Sequence, residues 1–123
     1  MNKLPLVEAQ ITCIPESDGG RATPPLLVCS GGSYRPHIVI GDPSQRRAVM
    51  IGNEIQETYL GIAFDSGPTG VEFDKPFLAK FYLLYYPHVA YESVIPGATF
   101  TIREGAKIVG FGRVNKLSLP PDA

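Results

Sequence analysis

The side chains able to do chemistry in this chain are few and scattered. His37 and His88 are its only histidines, and neither stands near a Ser or Cys nucleophile motif or at metal-ligand spacing. Cys13 and Cys29 are its only cysteines. Without paired histidines they do not make a zinc site. They read as reduced, partly buried thiols, with a Cys13–Cys29 disulfide as the alternative if the chain meets an oxidising compartment. Asp65, Glu72 and Asp74 lie in a loop-rich stretch, with no sign of a cleft that would pair two of them as acid and base. No Gly-x-x-x-x-Gly-Lys-Ser/Thr phosphate loop is present, so nucleotide hydrolysis is not expected. The expectation is a chain without catalytic residues, metal or cofactor, one that works by binding.

Binding has more to draw on. Arg21 follows Gly19-Gly20, where a guanidinium can meet a phosphate or carboxylate or else brace its own loop, and bracing is the favoured reading. Arg35 and Arg103 sit beside strand residues, where an internal ion pair with Glu8 or Glu104 is the favoured role. Arg46-Arg47 is the only adjacent basic pair and reads as a solvated turn. Tyr82, Tyr85, Tyr86 and Tyr91 form an aromatic cluster that suits an interface, since tyrosine buries a large area and keeps a polar tip. The alternative is that half fill the core and the others pack under the Asp65–Lys75 segment.

The elements that must position these groups are strands. Leu6 to Ile14 alternates, with Val7, Ala9, Ile11 and Cys13 on one face and Glu8, Gln10 and Thr12 on the other. A loop from Pro15 to Pro25 turns at Asp18-Gly19-Gly20, and a short strand is expected at Leu26 to Cys29. Further strands are expected at Tyr34 to Ile40, Arg47 to Ile51, Thr58 to Phe64, Phe77 to Tyr86, Thr99 to Arg103 and Lys107 to Leu117. The last two meet at a turn at Glu104-Gly105-Ala106, where Gly105 should adopt positive φ. Gly110 and Gly112 share a face and permit coiling or a close backbone approach. Phe77 to Tyr86 is apolar on both faces apart from Lys80. Its outer face should therefore be covered, by the Asp65–Lys75 segment, a second copy or a foreign partner.

Thirteen glycines and twelve prolines in 123 residues suit short strands and turns. The hydrophobic share of 44% supports one core and one domain, 1–123, with 118–123 as a loose tail. The fold class is all-β, a closed barrel or sandwich. A formal charge of −1 argues against a general phosphate-binding surface. No apolar run approaches the roughly 20 residues needed to span a bilayer, and residues 1–7 lack a signal-peptide core. A cytoplasmic protein is expected.

Three blocks, in order, resemble the C-terminal, third domain of elongation factor Tu. They are Glu8-Ala9-Gln10 with Asp18-Gly19-Gly20-Arg21-Ala22-Thr23-Pro24; then Tyr34-Arg35-Pro36; then Pro96-Gly97 through Phe100-Thr101-Ile102-Arg103-Glu104-Gly105 to Val109-Gly110-Phe111-Gly112-Arg113-Val114. Residues from about Gly41 to Glu92 match poorly. The resemblance implies a closed antiparallel Greek-key barrel of about six strands. In that family the domain is not catalytic; it packs on the GTPase domain, contacts the T-stem of aminoacyl-tRNA and meets the nucleotide exchange factor.

Carried across by position, the tRNA-facing set is half kept. Arg21, Glu104 and Gly105 are retained, and His37 replaces a glutamine. A polar position at the end of the long strand falls near Tyr86, while Ala22, Ala106 and Lys107 depart from the pattern. The resemblance therefore implies a free-standing module that binds a protein partner, such as an immunity or regulatory protein. The alternative is a translation-associated protein that contacts tRNA weakly. The candidate binding residues are Arg21, Arg35, His37, Tyr82, Tyr85, Tyr86, Tyr91, Glu104 and Gly105.

Overall fold

The computed structural model describes residues 4–25 and 34–120. The expected strand at Leu26 to Cys29 and residues 121–123 of the tail lie outside them. Among the described residues eight strands follow in order: β1 (Leu6–Cys13), β2 (His37–Ile40), β3 (Met50–Ile51), β4 (Glu54–Ile55), β5 (Leu60–Ser66), β6 (Phe77–Leu83), β7 (Thr99–Glu104) and β8 (Lys107–Ser118). Six of them close an antiparallel barrel in the order β1-β6-β5-β2-β7-β8, while β3 and β4 form a separate two-stranded hairpin. The all-β closed barrel of six strands is the fold. Helix is limited, among the described residues, to one 3-10 turn at Glu16–Asp18.

The period-2 pattern of β1 decides its orientation. Val7, Ala9, Ile11 and Cys13 are buried inside, and Gln10 faces water. The interior is then filled by side chains from every barrel strand, including Ile38, Leu60, Ile62, Phe64, Phe81, Phe100, Ile102 and Val114. Four rings run through it. Tyr34 stacks on Phe64 at 5.5 Å, Phe64 meets Phe81 edge-on at 5.4 Å, and Phe81 meets Phe100 edge-on at 6.0 Å. Such pairs add about 0.5–1.5 kcal/mol each beyond their burial. The interior is packed, leaving a cavity of only about 10 Å³ near Cys13, Tyr34 and Phe64. A chamber for a ligand it is not.

Closure depends on Gly112. Its position faces Ile11 on β1, and a Cβ there would lie 2.4 Å from the Gln10 carbonyl oxygen and 2.8 Å from Phe100 Cζ. The β7–β8 turn holds Gly105 at φ +63°, with Glu104 paired to Lys107 across a two-residue loop. Positive φ at the first loop position is the demand of a tight hairpin turn, and glycine meets it without strain.

Several boundaries differ from expectation. Tyr34 and Pro36 offer carbonyls to the Phe64 and Ile62 amides, but β2 begins only at His37, because Pro36 has no N–H to donate. Arg47 to Ile51 is no barrel strand; Met50 and Ile51 pair instead with Ile55 and Glu54. β6 stops at Leu83, and the chain then turns through Tyr86–Pro87, which is cis. Ala79, Phe81 and Leu83 point inward, as one of the two apolar faces had to. The outward Leu78 remains 58% exposed. The Asp65–Lys75 segment does not cover it; that segment crosses to the end of β1, where the Asp74 amide donates to the Cys13 carbonyl.

Cover falls on other strands. Residues 41–59 fold back over the outer face of β2 and β7, burying Val39, Thr101 and Arg103. Tyr85 lays its ring over Gly61 on the outside of β5, where a Cβ would lie 2.4 Å from Tyr85 Cε2. β5 is thereby buried on both faces.

Candidate functional site

Two of the candidate binding residues, Arg21 and Glu104, meet Tyr34 at one end of the barrel, with Gly105 and His37 close by. Arg21 Nη1 lies 2.5 Å from Glu104 Oε2, and the Tyr34 hydroxyl donates to the same oxygen at 2.6 Å. Arg21 Nε also donates to the Thr23 carbonyl at 2.8 Å, and its guanidinium lies 5.6 Å from the centre of the Tyr34 ring. The loop Pro15–Pro25 is set by the Gly19 turn, at φ +91°, and by Arg21 N–H donating to the Ile14 carbonyl. Burial and the bond to Glu104 push the Tyr34 hydroxyl well above the usual phenol range. Desolvation pushes the buried Cys13 thiol up to about 11, with Arg21 opposing it. Cys13 is an inert core thiol, since the thiolate is the reactive form.

A second network lies behind this one. Arg103 Nη1 and Nη2 donate to the two oxygens of Glu57 at 2.8 and 2.9 Å, Nε donates to Thr101 Oγ1 at 2.9 Å, and Nη1 also reaches the Tyr59 hydroxyl at 3.2 Å. Arg103 is fully buried and Glu57 is 11% exposed. Arg103 thus has an internal role, but with Glu57, not with Glu8 or Glu104. On β7 the side chains of Arg103 and Glu104 fall on opposite faces, so Glu104 is free for Arg21. Hydrogen bonds from Arg103 hold the Glu57 carboxyl down at about 2 against the opposing effect of burial, with Gln45 and the Val49 amide adding to it. The Tyr59 hydroxyl donates to the Gly105 carbonyl at 2.8 Å, and His37 lies beside Tyr59 with ring centres 5.6 Å apart. His37, Tyr59 and Gly105 are therefore neighbours, while Arg35 is exposed.

The tyrosines part company. Tyr91 is buried, donating from its hydroxyl to the Gly61 carbonyl at 2.7 Å and accepting from the Tyr85 amide at 3.1 Å. It belongs to the core and is removed from the binding set, because its polar tip is satisfied inside. Tyr85 is half exposed over Gly61. Tyr82 and Tyr86 are half-buried, and Tyr86 lines an apolar groove of about 280 Å³ with Ile95 and Leu119.

The feature that residue-by-residue reading missed is the β3–β4 hairpin. Val49, Met50, Ile51 and Ile55 are all exposed on it, Ile51 to 70%. Its two-residue loop is Gly52-Asn53, with Gly52 at φ +62°. Its base is fixed. The Val49 amide donates to Glu57 Oε1 at 2.7 Å, the Gln56 amide donates to the Val49 carbonyl, and Gln45 Nε2 donates to Glu57 Oε2 at 2.8 Å and to the Arg47 carbonyl at 2.7 Å. One carboxylate therefore ties the hairpin base to the barrel through Arg103. A Gly-Asn pair between two apolar runs is the signal that could have found it.

Among the described residues, no three His, Cys, Asp or Glu side chains converge as a metal site requires. A closed six-stranded barrel carrying one anchored apolar hairpin and a cross-braced polar end is what the chain defines. Compared with known protein families and with curated proteins, its sequence has no match.

Proposed function

We propose that this barrel is a non-catalytic, protein-binding module of the kind the elongation factor Tu resemblance implies. An immunity or regulatory protein that occupies a partner's surface in place of the factor is the natural version. The observation that carries the reading is the β3–β4 hairpin, which holds four large apolar side chains in water on a base fixed by Glu57. Exposed apolar groups grouped on a rigid element favour association, because the ordering cost of binding has already been met in the folded domain.

The charges support the same choice over tRNA contact. Arg21, His37, Glu104 and Gly105 do gather at one end, which favours the RNA reading. Yet Arg21 is already ion-paired with Glu104, and Arg103 with Glu57. A phosphate would have to compete with those carboxylates, and a chain of net charge −1 has few other cations to offer. The test is affinity capture from the source cell with the wild type and with Ile51→Asp, followed by identification of what is retained. Protein retained by the wild type and lost by the folded variant is expected. Retention of tRNA by both would replace this reading with the RNA one.

A further inference from the structure

A second surface lies on the outside of the barrel where β1, β8 and β7 adjoin. A groove of about 330 Å³ runs there between Pro43 and Pro76, with Phe111 in its lining, Gln10 and Thr12 along β1, and Arg113 on β8. Its volume is at the lower end for sites that take small ligands or short peptide segments. The Arg46 guanidinium stands 5.0 Å from the centre of the Phe111 ring and donates only to the neighbouring Pro43 and Gln45 carbonyls. Among the described residues, neither Arg46 nor Arg113 is in an ion pair, in contrast to Arg21 and Arg103. Asp42 lies near it, its carboxyl held below the usual range first by bonds from the Ser44 hydroxyl and amide to Oδ1 and last by the Arg46 charge.

We propose that this groove takes an extended acidic segment of a partner protein. An apolar or proline side chain would lie against Phe111 between the two prolines, and a carboxylate would meet Arg113 in the paired geometry that a guanidinium favours. The closed barrel offers no free strand edge here, so the segment cannot be added as another strand. Recognition has to come from side chains, and the Gln10 amide and Thr12 hydroxyl can supply donors and acceptors for a peptide backbone. Two cations above an apolar lining suit one or two carboxylates. Nucleic acid needs a longer track of charge. The inference rests on the protein-binding reading but not on the hairpin.

The experiment is an array of synthetic nonapeptides in which each Glu-containing member has a Gln-containing twin, probed with the whole chain at about 0.15 M salt. Hits are then measured by fluorescence polarisation. Glu peptides should bind at least about tenfold more tightly than their twins, and Arg113→Glu should remove that difference. Lys107→Glu makes the same charge change about 20 Å away along β8 and should leave it intact. Equal binding of twins, a preference that survives R113E, or an equal loss in K107E overturns the proposal. So does tighter binding of a poly-uridine oligonucleotide that R113E abolishes. A hairpin-dependent partner that R113E still binds, alongside an array with no acidic preference, would remove the groove while leaving the module reading in place.

Discussion

Arg103 and Glu57, 46 positions apart, meet through two parallel hydrogen bonds on the outside of the barrel, and their contact is buried by the chain's own excursion over β7. Arg103 alternates with the inward Phe100 and Ile102, so it leaves the sheet on the solvent face. Residues 41–59 then fold over it and bring Glu57 with them. The pair holds a surface hairpin in place, and its geometry yields the first two expectations.

Removing one partner of a buried pair leaves the other charge unmatched, at a cost of about 3–5 kcal/mol. Glu57 keeps some solvent contact, so Glu57→Gln should fall near the lower figure, about 3 kcal/mol. Urea denaturation measures it. Glu57→Leu combined with Arg103→Met should recover most of the loss, because the second change removes the stranded cation. A single variant as stable as the wild type would show that the pair is not buried.

The same carboxylate sets an acid limit. Glu57 is held at about 2 in the folded domain, below the ordinary 4.5 it regains on unfolding. A depressed carboxylate contributes stability that is complete above the unfolded value and is lost as pH falls through the folded one. The denaturation midpoint should therefore drop between pH 4.5 and 2, and it should drop less in Glu57→Gln. Parallel pH profiles for the two proteins would contradict the assignment.

Cys13 should resist alkylation. With its thiol raised to about 11, the thiolate is about one thousandth of the population at pH 8. Peptide mapping after iodoacetamide should find Cys13 unmodified in the folded protein and modified in urea. Rapid labelling of the folded protein would place Cys13 at the surface.

Two glycines should fail for different reasons. Gly105→Val meets no neighbour but forces a branched residue to φ +63°, which should cost about 1–3 kcal/mol. Gly112→Ala has ordinary backbone angles but drives a methyl against the Gln10 carbonyl and Phe100, so β1 and β8 must part. Thermal melts should rank Gly112→Ala as the more damaging of the two. The reverse order would mean that the barrel seam is looser than its register implies.

The parts of this fold legible in the sequence are those with a wet face and a dry one. β1 shows its period plainly, and the β7–β8 hairpin announces itself by a glycine between two strands. Arg103 is legible as an internal arginine but not its partner, because Glu57 arrives by a tertiary fold-back that no local pattern encodes. Tyr91 reads as either an interface or a core residue, because a large ring with a polar tip suits both. Its burial depends on a bond to Gly61, 30 residues earlier. Met50 and Ile51 read as a barrel strand because local β-propensity does not distinguish a barrel strand from a hairpin lying outside it.

The central claim, that the hairpin is the element a protein partner grips, is tested most directly by the affinity of a captured partner for Ile51→Asp against the wild type, measured by calorimetry. A single buried apolar anchor contributes about 2 kcal/mol or more, so the account predicts binding at least about thirtyfold weaker with an unchanged melting temperature. Arg21→Ala, at the polar end, should bind as the wild type does. Full affinity in Ile51→Asp together with loss in Arg21→Ala would contradict the account and move the interface to the Arg21–Glu104 end.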